Sequence, residues 1–280
     1  MTRRIKLPLI QNVGPNQRAT IRLPLGRVYN KIILFCGGNI NASLISNIVL
    51  KVNQGEKQRW KNAAQLQARN SYNKGANDPA VLTLNFLEKD SHDLASQTLG
   101  TYALTAEAGV QDAVLEFDLG NYVISAGSTI TAIAEVDVPS ANRLIVRTRY
   151  QQKTLAGAVE ESIIIPSGQN GEQLKRIFIF GTLASIASLR VRRDDSDEFE
   201  SLTVAQNEYV QREFEKIPQA GLMVIDFVVN DLQSDMLNTS QIMGPGGKPT
   251  LVQNLDIRMT TTAAGTFDIY TESLTLNDRA

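Results

Sequence analysis

The run at residues 80–90 (AVLTLNFLEKD) returns half a chain later at residues 221–231 as GLMVIDFVVND. Leu84 matches Ile225, Asn85 matches Asp226, Phe86 matches Phe227 and Asp90 matches Asp231. A stretch that recurs at half-length constrains the fold more than any composition value, because its surroundings are expected to recur with it. The 280 residues therefore divide into two halves, 1–141 and 142–280. Each is close to an ordinary domain of about 100–150 residues.

The order of segments supports the repeat. In the first half, residues 18–24 (RATIRLP) alternate, 31–36 (KIILFC) form an apolar run stopped by Gly37 and Gly38, and 47–53 (NIVLKVN) alternate again. Residues 56–72 change period, with Trp60, Ala63, Ala64 and Ala68 on one helical face, and the spacing predicts a helix there. The central strand at 80–88 follows, then VLEFDL at 114–119 and TITAIAEVDV at 129–138. The second half answers in the same order: ESIIIP at 161–166, RIFIFG at 176–181, residues 189–193, a helix expected over 199–214, the central strand again, LDIRMT at 255–260 and FDIYTESLTL at 267–276. Residues 144–150 (LIVRTRY) open that half, past a junction near 139–142.

Short strands punctuated by Gly, Pro and Asn turns indicate packed antiparallel sheets and not a parallel α/β sheet. Eight strands per half are best accommodated as a jelly roll, which folds two sheets together and limits exposed edges. The expected fold class is all-β, with two tandem eight-stranded jelly-roll barrels and one helix inserted in each.

Little in the chain suggests catalysis. Net charge is −1, from 28 basic and 29 acidic residues, unlike the strong basic excess of a nucleic-acid-coating protein. His92 is the single histidine, so neither a multi-histidine metal centre nor a well-supported histidine-based triad can be assembled. The single cysteine, Cys36, sits in an apolar run and reads as a buried, inert thiol. No P-loop is present, and GPGGKP at 244–249 reads as a plain loop between strands. The apolar stretch near the start is too short for a signal peptide, and no run reaches the roughly 20 residues of a spanning helix. Synthesis and assembly in a cytoplasm are the expectation.

The acidic run 194–200 (DDSDEFE) is the remaining candidate site. Asp194, Asp195, Asp197 and Glu198 offer the oxygen donors that calcium prefers, without the EF-hand spacing. The preferred reading is that these carboxylates and Ser196 cap the following helix and oppose its dipole. Arg3, Arg4 and Lys6 form a basic tip, read as a loosely ordered terminus in preference to a contact with lipid headgroups. Trp60 reads as helix packing against a sheet.

The segment NVGPNQRATIRLPLGRVYNKIILF at 12–35 resembles the opening of the major capsid proteins of corticoviruses, tailless icosahedral phages with an internal membrane. The matching features are a strand ending in Leu23, Pro24, Leu25 and Gly26, then Tyr29 and a buried strand, and the similarity continues to about residue 87. The resemblance, to the adenovirus hexon-like lineage, implies a double jelly roll standing roughly perpendicular to a capsid surface. It implies a homotrimer forming a pseudo-hexagonal capsomer, and a lattice of such tiles over a membrane vesicle. The implied partners are further copies, penton and minor capsid proteins and, peripherally, the internal membrane, with no specific nucleic acid. The implied location is the virion, after assembly in the host bacterial cytoplasm. No enzyme activity and no cofactor are expected; calcium at subunit contacts is compatible with the family, and no ligand is carried over. The alternative is a tandem jelly-roll carbohydrate-binding protein, although aromatics are only 6% of the chain and lie mostly in core-like runs. An enzyme on a bicupin scaffold ranks third because of the single histidine.

Overall fold

The computed structural model describes residues 3–166, 171–194, 196–243 and 249–277. The chain forms two compact units, Met1–Thr148 with Asn277–Ala280, and Arg149–Leu276.

The first unit contains β1 (Arg3–Lys6), β2 (Arg18–Arg22), β3 (Arg27–Gly37), β4 (Ile45–Val52), β5 (Gly55–Asn62), β6 (Val81–Asn85), β7 (Tyr102–Leu104), β8 (Ala113–Leu119) and β9 (Thr129–Asp137). Helix α1 (Ala63–Tyr72) lies between β5 and β6, and a short α2 (Leu94–Thr98) precedes β7. One sheet has the order β1-β9-β3-β6, with β7 also on β3, and the other has the order β2-β8-β4-β5. Period-2 patterning explains the layers. In β8, Ala113, Leu115, Phe117 and Leu119 are buried while Val114, Glu116 and Asp118 are only partly covered. Gly38, just after β3, turns the chain at φ +62°, where an added Cβ would lie 2.6 Å from the Ser128 backbone nitrogen, so no other residue fits without a shift.

The second unit contains β10 (Leu144–Leu155, which begins before the boundary), β11 (Glu160–Ile164), β12 (Gln173–Phe180), β13 (Ile186–Arg193) and β14 (Ser196–Leu202). Helix α3 (Val204–Glu213) follows, then β15 (Leu222–Asp226), β16 (Leu237–Asn238), β17 (Gln241–Met243), β18 (Pro249–Leu251), β19 (Leu255–Thr261) and β20 (Gly265–Leu276). Its sheets run β10-β20-β12-β15, with β16 on β12, and β11-β19-β13-β14. Apart from a separate two-stranded β17-β18 sheet, this is the order of the first unit, so the duplication extends to topology. A core of Ile177, Ile179, Leu189, Ile225, Ile257 and Phe267, among others, fills the space between the sheets. The GPGGKP segment falls between β17 and β18, and its residues 244–248 lie outside the described residues.

The structure corrects both helix boundaries. Residues 55–62 and 196–202 are strands paired with β4 and β13, and the helices begin only at Ala63 and Val204. Trp60 lies on β5 opposite Ile48 and is a strand residue of the core, not a helical one. Helix α1 is capped by Asn62, whose side chain accepts from the Gln65 N–H at 2.9 Å. Helix α3 has a capping box between Thr203 and Gln206, so the acidic run does not cap it. The basic tip is likewise no loose terminus: Arg3–Lys6 pairs with β9 from Arg3↔Val136 to Lys6↔Ile133.

Both helices grip the free edge of the adjacent sheet. Asn70 Nδ2 of α1 donates to the Thr83 carbonyl of β6 at 2.7 Å. At the corresponding place, Asn207 Nδ2 and Gln211 Nε2 of α3 both donate to the Val224 carbonyl of β15 at 2.6 Å.

Candidate functional site

The acidic run is one arm of the β13–β14 hairpin, facing the arginines that precede it. Arg192 pairs with Asp197 at 3.2 Å, Arg190 reaches the same carboxylate at 3.7 Å, and Arg193 holds Glu198 at 2.7 Å. Opposite charges across a ladder stabilise it modestly. Asp194 occupies the turn in the left-handed region (φ 53°), and its Oδ1 accepts from the Gln253 and Asn254 N–H groups, each at 2.8 Å. Asn53 does the same work in the β4–β5 hairpin. At φ 50° its Oδ1 accepts from the Gln111 and Asp112 N–H groups at 2.7 and 3.3 Å. A neutral amide in the equivalent position shows that the role is to clamp a turn. Asp194, Asp197 and Glu198 are thus engaged separately by backbone and arginines. Among the described residues no group of three or more His, Cys, Asp or Glu side chains is arranged to hold a metal ion, and Asp195 lies outside the described residues.

His92 is exposed in a loop. Cys36 is partly buried, and burial pushes its thiol up to about 11.

The informative surfaces are broad sheet faces. In both units the outer face of the β2-type sheet carries a charge network. In the first, Arg18 bridges Glu116 and Asp118 at 2.7 and 2.8 Å while Lys51 meets Glu116 at 2.9 Å. Burial acts to raise the Glu116 carboxyl, but hydrogen bonds from Lys51 and Arg18 outweigh it and hold the group below its ordinary value. In the second, Arg190 and Arg258 share Glu160 at 3.0 and 3.5 Å.

The β1-type sheets differ. In the second unit this sheet is buried on both faces: Phe178, Leu222, Val224 and Tyr270 point away from the sandwich core yet are covered. Tyr270 stacks edge-on to Phe180 with ring centroids 5.7 Å apart. At the centre of that face Arg176, fully buried, pairs with Asp226 at 3.0 Å and Glu272 at 3.1 Å. In the first unit the register positions are the same but the face is open. Lys31 stands for Arg176 and pairs with Glu135 at 3.3 Å, Asn85 stands for Asp226, and Ile33 and Phe35 stand for Phe178 and Phe180. Patterning predicted the strands, but which outer face would be covered had no signal in the sequence except the apolar residues at both alternations of RIFIF.

Among the described residues the geometry offers sheet faces and ion pairs, and the comparisons place such sheets in viral coat proteins. Residues 4–137 match the model of the viral coat protein P2 N-terminal domain, and residues 145–277 that of the P2 C-terminal domain. The chain is 24% identical over 233 residues to major capsid protein P2 of Pseudoalteromonas phage PM2, covering 80% of this chain and 82% of that one. The crystal structure of P2 from bacteriophage PM2 superposes with a TM-score of 0.87 at 20% identity, over 100% of this chain and 99% of that one. A chain from the atomic structure of Sulfolobus Turreted Icosahedral Virus gives 0.70 at 11% identity, over 98% and 91%. The carbohydrate-binding alternative has no support among these findings. With both P2 domain models matched in order across nearly its whole length, the chain belongs to the viral coat protein P2 family and is a double jelly-roll major capsid protein of the corticovirus type.

Proposed function

We propose that this capsid protein trimerises into a pseudo-hexagonal capsomer, and that such capsomers tile an icosahedral shell over an internal membrane. The observation that carries the reading is the repetition of the order of the two main sheets in the two units. Two like-shaped units in one chain let three chains present a near-sixfold outline, which packs into a hexagonal lattice. Penton and minor capsid proteins and the membrane complete the particle, assembled in the host bacterial cytoplasm. The role is non-enzymatic and independent of a cofactor, which the engagement of the acidic run by arginines and backbone N–H groups supports.

Light scattering on the purified protein tests this. A stable species of three times the 30.8 kDa chain, unchanged by chelator, is expected. A monomer at every accessible concentration would overturn the capsomer, and loss of assembly on chelation would overturn cofactor independence.

A further inference from the structure

Helix α3 is built inside out. Its inward residues are the amides Asn207 and Gln211, while Tyr209, Val210 and the C-cap Phe214 are 63%, 39% and 42% exposed. The corresponding positions of α1 are better covered: Arg69, which stands for Val210, is buried, and Ala68 and Asn73, which stand for Tyr209 and Phe214, are half-buried. The sheets show the converse. The outer face of the second unit's sheet is covered, whereas on the first unit Ile33, Phe35, Val81 and Thr83 line an open hollow of about 300 Å³. The more exposed helix face is thus in the second unit and the more exposed sheet face is in the first.

We propose that the outward face of α3 in one copy seats in the hollow on the β1-β9-β3-β6 sheet of a second copy. The occupant is a second copy because both patches belong to this chain and each is more exposed than its duplicated counterpart. An apolar helix face carrying a tyrosine and a phenylalanine is the shape and polarity that an apolar hollow takes. The charges also agree: Glu213 lies on the exposed stripe of α3, and Lys89 lies at the edge of the hollow. Two different patches make a heterologous contact, which generates a closed ring when the rotation closes and a filament when it does not. Closure at three copies rests on the trimer reading above.

The test uses the full chain in a Cys36→Ser background. Val81→Cys and Val210→Cys chains, differently tagged, are co-expressed and treated with a short bifunctional thiol reagent. A covalent mixed dimer is expected from the co-expressed pair and none from either variant alone. In parallel, V210D/F214D and, separately, F35D are expected to lower the solution mass threefold while circular dichroism and melting temperature stay at parent values. A full-size trimer from V210D/F214D, or parent-size trimers that give no mixed dimer, would overturn this contact and leave the trimer reading standing. A monomeric parent would overturn both.

Discussion

Lys31 and Arg176 hold the same register position on the same strand of the two units, yet Lys31 keeps 29% of its side chain in solvent and Arg176 keeps none. Each faces a glutamate on the neighbouring strand, Glu135 or Glu272. The same cross-strand glutamate pair thus operates in two dielectric settings, with a second carboxylate, Asp226, added only at Arg176, and the consequences of removing the cation differ accordingly.

Arg176→Met leaves Asp226 and Glu272 buried without their shared cation, and this kind of loss costs about 3–5 kcal/mol. Lys31→Met breaks a partly hydrated pair and is expected to cost about 1 kcal/mol or less. Urea unfolding of the two variants beside the parent checks this. Equal midpoints would show that the environment of the pair does not set its worth.

Asp194→Asn preserves both the turn and its acceptor, as Asn53 demonstrates in the other unit, and should leave stability within about 0.5 kcal/mol of parent. Asp194→Ala forces a left-handed alanine, at about 1–2 kcal/mol, and strands two N–H groups. A matched loss is expected for Asn53→Ala. If Asp194→Asn were instead to abolish a calcium-induced shift in melting temperature, the carboxylate would be a ligand.

Thr203→Ala removes the hydroxyl of the capping box at the start of α3 and should cost about 1 kcal/mol. The helix is held to its sheet mainly by the two amides, so Asn207→Ala is expected to cost at least as much, since it removes one of the two donors to the Val224 carbonyl. Thermal melts of the two variants, read beside the parent, compare the cap with the grip.

Cys36 should stay unreactive at neutral pH, because its thiol ionises only near 11 in the folded protein. With the folded value raised above the ordinary 9.0, the thiol's contribution to stability is complete below about pH 9 and is lost as pH rises toward 11. Reaction with an aromatic disulfide reagent at pH 8 is expected to be slow in buffer and fast in denaturant. Equal rates would mean that the thiol is not protected.

Much of the fold was legible because alternation in segments such as VLEFDL has a single reading, and because the 80–90 run recurs. The failures have a common cause. Strand β5 (GEKQRWKN) lacks β-branched residues, so the alanines after it extended the helical period backwards across it; only pairing with β4 makes it a strand. Strand β14 is a run of acids whose partners are the arginines across the hairpin, and without the hairpin those acids resemble a helix cap. Helix α3 defeats periodicity because its buried stripe is polar, although the Thr203–Gln206 spacing marks its start. The covering of one sheet face and the opening of its twin is a property of the assembled chain, which local patterning does not encode.

A subunit that must reach very high local concentration without tangling has a problem at every unpaired strand, and the amide grip of α1 and α3 answers it. Strands β6 and β15 end their sheets, and a bare edge there would offer carbonyls to any passing chain. Thr83 and Val224 spend theirs on side-chain amides from the same unit. The two helices serve as bumpers, blocking indiscriminate strand addition so that growth is left to specific faces.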